Sequence, residues 1–230
     1  GSSRVEFLSG NAYPPGTYVI STNGSRTLTY VDPSLKSYTE VSTSSVAASI
    51  GTSNITVENP KYDFAKLEDS PIIAGIPTEH YRLTISYDIT VSFGTMPLKQ
   101  AVRTIIDKWT TVQFGDIAEN YLASGGIRTG NAELDAILDA ETTRIKGFPL
   151  KQTVEIITTN MRGNLPGSKL ALSPTRTQKR EITVTSIKQV APKPAAFAIP
   201  VTYRRAEPGT NDLTKPGVQA DAKDLLVVLS

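Results

Sequence analysis

The chain has no cysteine. This excludes disulfides, thiol catalysis and Cys-ligated zinc or iron–sulfur centres. It has a single histidine, His80, so any Ser-His-Asp triad must run through that residue. There is no G-x-S-x-G elbow and no calcium loop of alternating Asp/Asn closed by Glu. Gly125-Gly126-Ile127-Arg128-Thr129-Gly130 is glycine-rich but lacks the Lys-Ser/Thr pair of a P-loop and reads as a connection. Basic runs stop at the doublets Lys179-Arg180 and Arg204-Arg205, and the net charge is only +2. A phosphate-tracking surface needs a denser stripe, so nucleic acid is not an expected partner. No stretch approaches 18 apolar residues, so no transmembrane helix is expected. The chain opens on Gly1-Ser2-Ser3 with no Met, so the missing signal peptide says nothing about secretion.

Several acids stand near one another, such as Glu133 with Asp135 or Glu141, and Asp221 with Asp224. Any chain with 22 acids offers such pairs, and glycosidase chemistry needs two carboxylates held across a cleft. His80 begins a strand and alternates with its apolar residues, which places it on the polar face as a surface or turn histidine. The sequence therefore assigns no catalytic residue, no metal ligand and no cofactor, and the chain is not expected to be an enzyme.

What is present is β-forming. Hydrophobic residues reach 39%, enough for a substantial core. Short strands are expected at Val5–Phe7, Tyr18–Ile20, Leu28–Tyr30 and Tyr38–Val41, punctuated by Pro14-Pro15-Gly16, Asn23-Gly24 and Asp32-Pro33. The clearest element is Tyr81–Phe93. Tyr81, Leu83, Ile85, Tyr87, Ile89, Val91 and Phe93 alternate with Arg82, Thr84, Ser86, Asp88, Thr90 and Ser92. Strict period two over this length cannot be an amphipathic helix. It describes a long strand, dry on one face and wet on the other, in an antiparallel sheet. At about 3.3 Å per residue it spans about 40 Å, too long for a small barrel.

Lys99–Val112 carries both a helical spacing (Val102, Ile105, Ile106, Trp109) and many β-branched residues, and is read as the return strand. Helices are expected at Asp116–Ala123 and at Ala132–Thr143, the latter with Leu134, Ile137 and Leu138 on one side. Further strands are expected at Leu150–Thr159 and Glu181–Lys188, joined by a long hairpin connection over Arg162–Arg176. Leu225–Leu229 closes the chain as a strand or a docked helix end. Ile73-Ala74-Gly75-Ile76-Pro77 recurs as Ile145-Lys146-Gly147-Phe148-Pro149, each copy a turn that feeds a strand.

Taken in order, several of these segments resemble bacterial secreted proteins of the DUF4412 type, grouped with the lipoprotein-carrier (LolA/LolB-like) superfamily. The resemblance is carried by Ile73–Pro77 leading into His80-Tyr81-Arg82, by Trp109-Thr110, by Lys146–Leu150, and by Ser186-Ile187 through Phe197–Tyr203. It departs at Thr78, where the family often has Cys, and after Glu207, where the tail has no counterpart. It implies a single domain over residues 1–230, with 206–230 as a C-terminal extension. Its fold would be mostly β (α+β): a large curved antiparallel sheet, a half-open barrel, with helices of residues 116–143 packed in the concave face. It also implies a signal peptide removed on export and a place in the periplasm or at the outer-membrane periphery.

On that reading the protein binds lipid or a lipidated or hydrophobic ligand in an apolar cavity and performs no chemistry. The residues expected to line it are Leu83, Ile85, Tyr87, Ile89, Val91 and Phe93, with Leu134, Ile137 and Leu138 as a helical lid. The expected partner is an acyl chain or a lipoprotein, or else an envelope protein, and the expected state is a monomer. The rival reading is a structural or protein-interaction module with a filled core. The remotest is a hydrolase using His80.

Overall fold

The computed structural model describes residues 2–10, 13–21, 27–42, 55–93, 96–114, 132–160, 175–188, 194–207 and 222–229. The expected Asn23-Gly24 turn, the Asp116–Ala123 helix and the glycine-rich 125–130 segment lie outside them. The chain divides into two compact units. One holds the described residues of Gly1–Val46 and Gln189–Ser230, the other those of Ala47–Ala118 and Ile127–Lys188.

The first unit is a sheet of short strands: β1 (Ser3–Gly10), β2 (Tyr18–Ser21), β3 (Thr27–Asp32) and β4 (Ser37–Ser42), joined by two strands from the far end of the chain. The four expected strands lie inside β1 to β4. Their alternation buries Tyr18, Ile20 and Val31 on one face, where Tyr38, Phe197 and Tyr203 pack against them. The β3–β4 turn is tied by the Asp32 carboxylate, which accepts from the backbone N–H groups of Ser34 and Leu35 and from the Ser34 hydroxyl. That local bond is the reason an Asp-Pro pair makes a stop between strands.

The second unit holds long strands: β5 (Ile55–Leu67), the small arms β6 (Ile72–Ile73) and β7 (Ile76–Pro77), β8 (Glu79–Phe93), β9 (Met96–Thr111), β10 (Phe148–Asn160) and β11 (Thr175–Thr183). One helix, α1 (Ala132–Arg144), precedes β10. The sheet order is β11-β10-β9-β8-β5, antiparallel throughout. The 15-residue β8 is the strand that strict alternation announced. Lys99–Val112 resolves as strand β9, whose branched residues outweigh its helical spacing.

The two remaining strands, β12 (Arg204–Arg205) and β13 (Ala222–Leu229), belong to the first unit, whose order is β12-β4-β3-β2-β1-β13. The β12–β4 contact is parallel; the others are antiparallel. Leu225–Leu229 is therefore a strand.

Two expectations are corrected, and one strand is added. First, the antiparallel β architecture stands, but among the described residues the sheets do not close into a barrel and there is one α-helix rather than two. Second, the last strand of the second unit starts at Thr175 and ends at Thr183, short of the expected Lys188, because its register is fixed by β10: Thr159 opposite Thr175 through Lys151 opposite Thr183. The added strand is β5, which carries no legible alternation. Ile55 and Val57 are odd-numbered, Tyr62 and Phe64 even-numbered, and the ladder to β8 shifts between Glu58 and Lys61. A bulge there lets both pairs reach one face.

The repeated motif takes two forms. Ala74 and Gly75 (φ 51° and 80°) make a two-residue hairpin with Ile73 opposite Ile76, the pattern that suits the twist of antiparallel strands. Gly147 (φ 91°) instead turns the chain from α1 into β10. Among the described residues no helix is long and apolar enough to cross a membrane.

Candidate functional site

The apolar stripe of β8 enters a core. Leu83 is 0% exposed and Ile85 2%, and they cluster with Ile106 of β9, Ala140 of α1 and Ile145 just beyond it. Tyr62, Tyr81, Tyr87, Ile137 and Val154 pack around that cluster. So Leu83, Ile85, Tyr87 and Ile137 of the expected lining come together. Ile89 and Val91, farther along the strand, are half-buried. Phe93, Leu134 and Leu138 lie in their elements, with side chains outside the described set.

Sequence reasoning missed Ala140 and the cross-strand members. Ala140 sits three residues beyond Ile137, on the same helix face, but its small side chain gives no hydropathy signal. Register alone places Ile106 opposite Leu83 and Val154 opposite Ile106, in one row across three strands.

His80 lies on the polar face of β8, as its phase requires, but it is not a surface residue: it is 4% exposed. Across from it on β9 stands Trp109, and across from Arg82 stands Asp107. The imidazole stacks on the indole at 4.1 Å between centroids and 19° between planes. The Lys151 ammonium of β10 stands 5.0 Å from the centre of the same indole. Nδ1 of His80 is 2.5 Å from an Asp69 oxygen, and Nε2 is 2.9 Å from Asp107 Oδ1. Asp107 also accepts two bonds from the Arg82 guanidinium, at 2.8 and 3.1 Å. The Trp109 N–H donates to the second Asp69 oxygen at 3.3 Å.

This cluster is a polar clamp. It ties the segment after β5, which carries Asp69, to β8 and β9. The hydrogen bond from His80 holds the Asp69 carboxyl below the usual carboxylate range; partial burial opposes this, and the Trp109 N–H adds to the lowering. Beside it the Glu79 carboxyl is also held low, first by the Lys66 ammonium and then by the Tyr81 hydroxyl.

The clamp's chemistry is limited by its own bonds. A neutral imidazole has one N–H and donates only one of the two bonds; making both takes a proton on each nitrogen. Either way each nitrogen faces a carboxylate, and neither is left to accept a proton from a hydroxyl. A general base must reach the proton it removes. Among the described residues no group of three or more His, Asp or Glu is placed to hold a metal ion.

A third feature lies on the polar face of the same sheet. Asn59, Lys61, Ser86, Asp88, Arg103, Ile157 and Thr159 help line an open depression of about 540 Å³. Asn59 is in the β5 bulge and donates to Asp88 at 3.1 Å. The bulge thus shapes the depression's rim. No protein-family model, curated protein or solved structure matches this chain.

Proposed function

We propose that the protein is a non-enzymatic structural or protein-interaction module of the cell envelope, with a filled core. The observation that carries this reading is the closure of Leu83 and Ile85 by Ile106, Ala140 and Ile145. Those are the residues an internal guest would have to touch, and their contacts are already made by the protein. The His80 clamp adds to this, since its nitrogens are used in holding three segments together. The envelope setting, periplasm or outer-membrane periphery, comes from the resemblance alone.

A lipid-binding reading keeps one foothold. Ile89 and Val91 continue the apolar face beyond the helix-covered part and are only half-buried. Each methylene shielded there contributes about 0.8 kcal/mol, so a short length of acyl chain is sufficient for binding. Native mass spectrometry of protein purified from a membrane-containing lysate separates the two. A bare mass is expected. An adduct with the mass of a lipid, present in the wild type and absent in Ile89→Asp, would overturn the filled-core reading.

A further inference from the structure

The two sheets differ in how their edges are finished. A strand edge offers unpaired N–H and C=O groups to any other chain, and proteins blunt such edges with charge, proline, bulges or brevity. In the second unit β5 carries Pro60 in its bulge, with Lys61, Asp63 and Lys66 after it. The other edge, β11, carries Arg176, Lys179, Arg180 and Glu181 and is almost wholly exposed. In the first unit β12 is two arginines long. The fourth edge of these two sheets, among the described residues, is different. β13 pairs with β1 on one side, is last in its sheet, and runs Leu225-Leu226-Val227-Val228-Leu229 without a charge. Leu226 is 48% exposed and Val227 39%, although neighbouring residues point to opposite faces. Both faces of this edge are therefore apolar and open.

We infer that β13 is an association edge whose partner is β13 of a second copy of this chain, paired antiparallel about a two-fold axis at Val227. The run matches itself in that register. Val227 falls opposite Val227, Leu226 opposite Val228, and Leu225 opposite Leu229. Every pair is aliphatic, and Lys223 and Asp224 fall outside the run on either side of the axis. A shift of two residues toward the start of the strand would set Asp224 against Leu226 and Lys223 against Val227. A two-fold contact needs such a self-matching patch, and aliphatic cross-strand pairs stabilise it. The product joins two six-stranded sheets edge to edge. It goes beyond the interaction reading above by naming the partner, and it sets aside the expectation of a monomer. It rests on residues of the first unit alone, so the lipid experiment and this one succeed or fail separately.

Sedimentation velocity from about 10 µM to about 0.5 mM, a range suited to weak association, tests it. The wild type is expected to move toward twice the chain mass as concentration rises. Val227→Lys and Val227→Glu each put like charges face to face at the axis and are expected to stay single throughout. An equimolar mixture of the two variants is expected to associate again, because Lys then faces Glu. Circular dichroism checks that each variant is folded, and Val227 is exposed enough to accept either side chain. Amide exchange of residues 224–229 in the wild type is expected to slow with concentration. A wild type that is single at every concentration overturns the proposal, as does a dimer that Val227→Lys leaves intact or a mixture that stays single.

Discussion

The two sheets solve one problem at two scales. The second unit's five-stranded sheet uses strands of 9 to 16 residues with a helix laid on one face, and its buried cluster draws on β8, β9, α1 and the residue after α1. The first unit uses strands of 4 to 8 residues over most of its sheet, and its cluster is three residues from two adjacent strands with three partly buried rings around them. A long strand can bury one end and leave the other for the polar clamp, the bulge and the charged edges. In the first unit the buried residues of the cluster all come from the central strands β2 and β3, and the unprotected edge occurs on β13, which supplies none of them.

The sharpest way to probe that comparison is to empty each core in turn. Leu83→Ala is expected to cost about 2–5 kcal/mol, toward the upper end, because the residues of its cluster come from several elements and cannot all close in on the gap. Ile20→Ala lies in the same range of about 2–5 kcal/mol, toward its lower end, since the rings of Tyr38, Phe197 and Tyr203 are only partly buried and can move inward. Urea melts of the two variants would measure both. A larger loss from Ile20→Ala would reverse the order of the two cores.

How much of this was legible beforehand follows the same division. Tyr81–Phe93 declared itself, because a strand with one dry and one wet face writes its period directly into the sequence. Leu83 and Ile85 were named as apolar lining for the same reason, and Ile137 for its place on the helix side with Leu134 and Leu138. Closure was not legible. It depends on Ile106 standing opposite Leu83 and Val154 opposite Ile106, and register is a property of two strands together. Strand β5 was missed because its bulge switches the alternation from odd to even at Asn59-Pro60. The His80 clamp was missed because Asp69 comes from a connecting segment and Asp107 from a neighbouring strand. Phase placed His80 on the polar face, but a polar face is not always wet. A sharper signal was present in Trp109, an aromatic at the polar phase of β9, which marks a place where that face is covered.

Breaking the clamp is expected to cost less than emptying the core. His80→Ala leaves Asp107 buried with Arg82 still bound to it, so the loss is about 1–3 kcal/mol, the cost of orphaning part of a buried network. The acid side of the stability curve tests the same residues. The Asp69 and Glu79 carboxyls are held below their ordinary values in the folded protein. The unfolded chain therefore takes up protons first as the pH falls. These groups contribute stability that is fully present above the unfolded carboxylate value, about pH 4, and is lost as the pH drops through the lower folded value. Asp69→Asn is expected to flatten part of the decline between pH 5 and the acid limit, read from denaturant midpoints along the series. If the decline were unchanged in that variant, the bond from His80 would not be what holds Asp69 low.

The smallest of these effects compares two glycines that share a backbone angle and differ in their surroundings. Gly16, before β2, has φ 87°, and a Cβ added there meets nothing within 4 Å. Gly147, before β10, has φ 91°, and its Cβ would lie 2.8 Å from the Thr111 carbonyl oxygen and 3.1 Å from that carbonyl carbon. An L side chain pays for positive φ at both, about 1 kcal/mol. Only at Gly147 does backbone also stand in the way, and Thr111 cannot step aside without loosening its pairing with Phe148. Gly16→Ala is thus expected to cost about 1 kcal/mol and Gly147→Ala distinctly more than about 1 kcal/mol, as measured by paired urea melts. Equal losses would mean that the close approach of α1's exit to the end of β9 is relieved by a small movement. The helix would then be less firmly set against the sheet than the burial of Ala140 and Ile145 requires.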